Sequence, residues 1–103
     1  MSPAESLSPL QHLALRLQHD FAQPALLQRA LTHRSFSADH NERLEFLGDS
    51  VLGLAISSLL FERLKDSPEG DLSRIRANLV KQDSLHQLAL QLELASCLRL
   101  GEG

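Results

Sequence analysis

The sequence predicts an all-α fold, a helical bundle built around one long central helix, and three observations point there. Four of the 103 residues are aromatic, all Phe, so the core must be made mainly of Leu and Ala, residues that favour helix packing over a sheet. Apolar side chains recur at helical spacing, and the stretches between them carry Pro, Gly, Ser and Asp where helices start or stop. The run from Glu42 to about Lys65 holds no proline, and as a helix it would be about 36 Å long.

The elements follow in order. Ser8 and Pro9 suit the cap and first position of a helix whose stripe is Leu10, Leu13, Ala14 and Leu17, ending near Phe21. Pro24 opens a second helix through about His33, with Leu27, Ala30 and Leu31 turned inward. Arg34 to His40 is a polar connection, and Asn41 is the expected cap of the long third helix. Leu44, Phe46, Leu47, Val51, Leu52, Leu54, Ile56, Leu59 and Leu60 point in nearly every direction, so this helix is expected to be covered on most sides. Gly48 and Gly53 cost helix stability, which predicts close packing against the backbone there. After a turn at Asp66 to Gly70, Asp71 is expected to cap a fourth helix from Leu72 to about Lys81, the most basic segment. A fifth starts at Asp83 or Ser84 and runs to about Leu98, with Ser84 and Gln87 at capping-box spacing.

Composition limits the function. At 43% hydrophobic and 22% charged the chain is apolar enough to fold, and 103 residues suffice for one domain over 1–103. A net charge of −3 gives no global electrostatic case for nucleic acid, so any such binding must rest on a local patch or on a metal. Cys97 is the single cysteine, which excludes an internal disulfide framework and is expected to be a buried thiol of a cytoplasmic protein. The N-terminus carries Glu5 and no basic-then-apolar pattern of a secretory signal. The uncharged run from Val51 to Phe61 is bounded by Asp49 and Glu62 and is shorter than the roughly 20 residues that span a bilayer, so no membrane partner is expected.

The segment from His40 to Leu52 carries the chemistry. Glu42, Glu45 and Asp49 stand at i, i+3 and i+7, within an arc of about 60° on a helix. Clustered carboxylates repel one another and need a compensating cation or donor network. Magnesium is the natural cation, since it binds one or two carboxylates and keeps several waters. Plainer roles compete. Glu42 and Glu45 sit where acidic side chains favour the positive end of the helix dipole. Asp49 is too far along to gain from it, and its plainer role is a buried pair with Arg34 or Arg43. Glu69 reads otherwise as a solvated loop acid, and Arg74, Arg76 and Lys81 as a solvated helix face. His33 and His40 lack a partner at ligand spacing, which favours hydrogen-bonding or packing roles. Phe46 is a core residue on periodicity alone.

The ten residues Asn41-Glu42-Arg43-Leu44-Glu45-Phe46-Leu47-Gly48-Asp49-Ser50 match the signature of the ribonuclease III family letter for letter. Ala30-Leu31-Thr32-His33-Arg34-Ser35 resembles the block that precedes it, and the segments Glu69 to Val80 and Leu98 to Gly103 resemble later blocks. The resemblance covers about residues 10 to 103 and implies an all-helical endonuclease domain that acts as a homodimer and cleaves double-stranded RNA with magnesium, manganese being able to substitute. The products would carry 5′-phosphate and 3′-hydroxyl ends, as in processing of rRNA and mRNA.

By the same resemblance Glu45 and Asp49 are metal ligands and catalytic, and Glu42 is an auxiliary catalytic acid. Glu69 is an acid near the site across the dimer, Arg74 and Arg76 are candidate RNA contacts, and Phe46 packs into the partner subunit. The family completes its metal site with a D-x-x-E pair, which does not occur after Asp71 in this sequence. The usual basic double-stranded-RNA-binding domain is not seen either. The chain therefore reads as the N-terminal two-thirds of the endonuclease domain, impaired or inactive alone, with a non-catalytic dimerisation or RNA-binding module as the alternative.

Overall fold

The computed structural model describes residues 7–102; Glu5 and Gly103 lie outside them. Five α-helices follow one another: α1 (Pro9–Leu17), α2 (Pro24–Ala30), α3 (Glu42–Arg63), α4 (Glu69–Val80) and α5 (Gln82–Gln91), then a 3₁₀ turn at Leu94–Ser96. The all-α expectation holds: the β pairing among the described residues is one isolated parallel bridge between Thr32 and Arg99.

Local chemistry explains most boundaries. Ser8 caps α1 through a full capping box, its Oγ accepting from the Gln11 backbone N–H while the Gln11 side chain accepts from the Ser8 N–H. The helix stops at Leu17, before Phe21, because Gln18 turns left-handed with φ 56° and its N–H reaches back to the Ala14 and Leu15 carbonyls. Helix α2 ends at Ala30, short of His33, where the chain leaves to pair with residue 99. Pro68, not Asp71, precedes α4; the helix begins three residues earlier than expected from Asp71, because Pro68 is extended and its carbonyl accepts from the Asp71 and Leu72 N–H groups. Asp71 sits in the first turn, where its charge suits the helix dipole. The capping box proposed for Ser84 and Gln87 does not form. Helix α5 starts at Gln82, and Ser84 instead donates its hydroxyl to the Asn78 carbonyl at 2.7 Å, bracing the corner between α4 and α5.

The core gathers away from the long helix. Leu13, Leu27, Leu31 and Cys97 form it, with Leu10, Phe21, Leu92 and Leu94 packed around. Cys97 is buried as expected, its thiol donating toward the Pro9 carbonyl at 3.5 Å. Arg16 ties α1 to the end of α5 by donating to the Leu92 carbonyl at 2.8 Å and pairing with Glu93 at 3.4 Å.

Helix α3 is not covered on most sides, which corrects the sequence expectation. None of its residues is buried, and Phe46, Leu54 and Phe61 are 80%, 70% and 75% exposed. The reason is topological: α4 is the element packed on it, leaving Leu52, Ile56 and Leu60 half-buried while the other faces stay open. Nor does anything approach Gly48 or Gly53, where a Cβ would meet no atom within 4 Å. The molecule is accordingly extended, with a radius of gyration of 16.5 Å, against about 13 Å for a compact domain of this length. By length and composition α3 could also cross a membrane, which the short uncharged run had hidden; its first two turns nonetheless carry Glu42, Arg43, Glu45 and Asp49.

The Thr32–Arg99 bridge was not foreseen. His33 N–H donates to the Arg99 carbonyl at 2.9 Å and Arg99 N–H to the Leu31 carbonyl at 2.8 Å, while the Arg99 guanidinium lies 4.4 Å over the Phe36 ring. Two residues on, Gly101 N–H donates to Ser35 Oγ at 2.9 Å. A Cβ at Gly101 would collide with the Ser35 carbonyl group, 2.7 Å from its carbon. Gly101→Ala will therefore push these strands of chain apart and cost about 1–3 kcal/mol, as overpacking does. A chemical denaturation curve that leaves the midpoint unmoved would contradict this.

Candidate functional site

The signature segment becomes the first half of α3, and its start is fixed by the polar connection before it. Asn41 occupies the cap position, but its side chain makes no capping bond; it donates instead to the Ala30 carbonyl at 2.9 Å. Capping falls to His40, whose Nδ1 accepts from the Glu42 N–H at 3.3 Å. His33 likewise has a hydrogen-bonding role, its Nδ1 accepting from the Ser35 N–H at 3.1 Å and lying 2.7 Å from Ser35 Oγ. Both histidines thus do local structural work, as the sequence suggested.

The three carboxylates separate. Glu42 pairs with Arg34 at 3.5 Å across an exposed surface, an arrangement worth little in stability but enough to occupy that acid. Asp49 does not form the buried pair with Arg34 or Arg43: it is exposed, and neither Asp49 nor Glu45 has an ion pair among the described residues. Glu45 and Asp49 stand four residues apart, one turn along the same face. Among the described residues no three His, Cys, Asp or Glu side chains converge as a metal-holding group. The site these residues supply is a two-carboxylate edge. Its hard oxygen donors fit magnesium, which takes one or two carboxylates and fills its remaining positions with water.

The other candidates lie along α4. Glu69 is its first residue, exposed, and accepts from the Ser73 hydroxyl at 2.8 Å. Arg74 forms an ion pair with Asp71 on the same helix. Arg76 donates to Ser57 Oγ on α3 at 2.9 Å, so it joins the two helices beside a groove shared by Leu60, Leu72 and Glu69. The structure brings neither Arg74 nor Arg76 into the Glu45–Asp49 edge. Phe46, between the two carboxylates in sequence, is exposed on a surface it shares with Leu47 and Arg43.

This arrangement of helices is that of a known class of nuclease domain. The nuclease domain of ribonuclease III from Campylobacter jejuni has the same fold: in one crystal structure it superposes with a TM-score of 0.84 at 41% identity, covering 89% of this chain and 65% of that one. A second structure of that domain gives 0.84 at 40% identity. The first was described for structural flexibility in a region involved in dimer formation. Residues 23–103 match the family model for ribonuclease-III-like domains, and the chain belongs to that family. It is 76% identical over 94 residues to ribonuclease 3 of Delftia acidovorans and 71% identical over 94 residues to that of Variovorax paradoxus. In each case the aligned part covers 91% of this chain and 41% of the relative.

Proposed function

We propose that this chain supplies part of a magnesium-dependent endonuclease acting on double-stranded RNA, with Glu45 and Asp49 as the metal-holding pair. The observation that carries the reading is the placement of these two exposed acids one turn apart on α3, neither in an ion pair among the described residues. When bound there, magnesium would activate water for attack on phosphorus and offset charge on the phosphate and the leaving oxygen. Glu45 and Asp49 would hold that ion at the helix edge. Glu42, tied to Arg34, is an auxiliary acid that enters only if the pair opens. Manganese should substitute, since carboxylate and water ligands suit both ions.

Two carboxylates fill only part of the octahedral shell that magnesium demands, so Glu45 and Asp49 are read as half of a site, and efficient cleavage is not expected from these two acids alone. The chain's coverage of 65% of the Campylobacter nuclease domain supports reading it as about two-thirds of such a domain. Duplex RNA would be read by its shape through phosphates and 2′-hydroxyls. Since Arg74 and Arg76 are engaged by Asp71 and Ser57, they would contribute to RNA binding only in part. We assign the activity to the cytoplasm, whose reducing conditions suit the free Cys97 thiol.

Homodimerisation belongs to the same reading. Phe46, Leu47, Val51 and Leu54 are large, apolar and exposed on the signature helix, and open backbone at Gly48 and Gly53 leaves room for close approach by a second copy. In that dimer Glu69 would face the metal edge of the partner subunit.

Calorimetric titration with magnesium tests the metal assignment. Asp49→Ala should weaken apparent affinity by at least about tenfold, since losing even an outer-shell partner of a ligand has an effect of that size. Identical isotherms for wild type and variant would remove the physical basis of the assignment.

A further inference from the structure

We propose that Asn41 is a positioning residue, the tether that fixes the bearing of α3 and thereby of the Glu45–Asp49 edge; the inference rests on the metal-site reading above. Asparagine at a helix cap ordinarily uses its side chain to satisfy a free N–H of the first turn. Asn41 does not. Its side-chain amide donates to the Ala30 carbonyl at the end of α2, and its backbone N–H donates to the Thr32 carbonyl at 2.9 Å. Its own carbonyl accepts from the Glu45 N–H at 2.7 Å. One residue therefore links the end of α2, the Thr32–Arg99 bridge and the backbone of a metal-holding acid. With His40 taking over the first-turn N–H of Glu42, the Asn41 side chain is released for the outward bond.

The anchor is firm on its far side. Thr32 is 1% exposed, and its hydroxyl donates to the Gln28 carbonyl at 2.6 Å. On the near side α3 lacks buried residues, so hydrophobic packing does little to set its direction. Hydrogen bonds at Asn41 must supply what packing does not.

Asn41→Ser separates tethering from capping, because serine caps helices as well as asparagine but is too short to reach the Ala30 carbonyl. The full chain, labelled with ¹⁵N, is compared with the variant by hydrogen exchange without metal and by manganese-induced line broadening. At unchanged overall helicity, the Glu45 amide should exchange about three- to tenfold faster, the scale of one lost hydrogen bond, while α4 amides stay as they were. Broadening at Glu45 and Asp49 should need about three- to tenfold more manganese. Equal exchange at Glu45 in both proteins overturns the proposal. If wild type shows no broadening, the metal reading fails while exchange still decides the tether. Should Asn41→Ser not fold, Asn41→Asp, which keeps the side-chain length and capping ability but has no amide donor, is read by the same measurements: faster exchange at Glu45 supports the tether, and equal exchange overturns it.

Discussion

Leu13→Ala will lower the stability of this chain by about 2–5 kcal/mol, the range for removing a large aliphatic side chain from a core. Leu13 is 1% exposed at the centre of a cluster whose other members are Leu27, Leu31 and Cys97. Small domains have only about 5–15 kcal/mol of net stability to lose, so the cooperative thermal transition should move to much lower temperature or vanish. A melt that overlays the wild-type curve would show that Leu13 is not the keystone of the core.

Phe46→Asp should abolish self-association. The ring is 80% exposed, the most open of the large apolar side chains in the described residues, and it stands near exposed Leu47, Val51 and Leu54 on a helix that the described residues cover only where α4 packs. An aromatic anchor at an interface commonly accounts for 2 kcal/mol or more, equivalent to about 30-fold in dissociation constant, and a charge in its place adds a desolvation penalty. Analytical ultracentrifugation should find a concentration-dependent dimer for wild type and monomer for the variant. Wild type that sediments as monomer at high micromolar concentration would count against the proposed homodimer.

Helix identities were legible where the signal is local. The Ser8–Pro9 start, the Pro24 start and the Glu42 start are all found as expected, because caps and prolines act through their immediate neighbours. What the sequence hid was which partner a polar group chooses. Ser84 prefers the Asn78 carbonyl to its own helix, Asn41 prefers Ala30, and Arg34 selects Glu42 over Asp49. Those choices depend on segments brought together by the fold. The same applies to the Thr32–Arg99 bridge, whose partners lie too far apart for any periodicity to connect them. The apolar all-round pattern of α3 predicts a helix covered on most sides, and the structure leaves most of it open, because periodicity shows which residues are apolar and not what packs on them. The candidate site was legible in its residues; that it is an edge of two acids, with Glu42 held by Arg34, required the structure.

The route by which the core closes has a kinetic consequence. Cys97 and Arg99 meet α1 and α2, so the core cannot form until nearly the whole described chain is available, and closing so long a loop is entropically costly. The α3–α4 hairpin depends on neighbours in sequence and can form early. During synthesis at about 5–20 residues per second, Leu13 and Leu27 must wait several seconds for Cys97 to emerge. Over that interval the nascent chain presents both its future core and the open face of α3, and it is then that it most needs protection from aggregation.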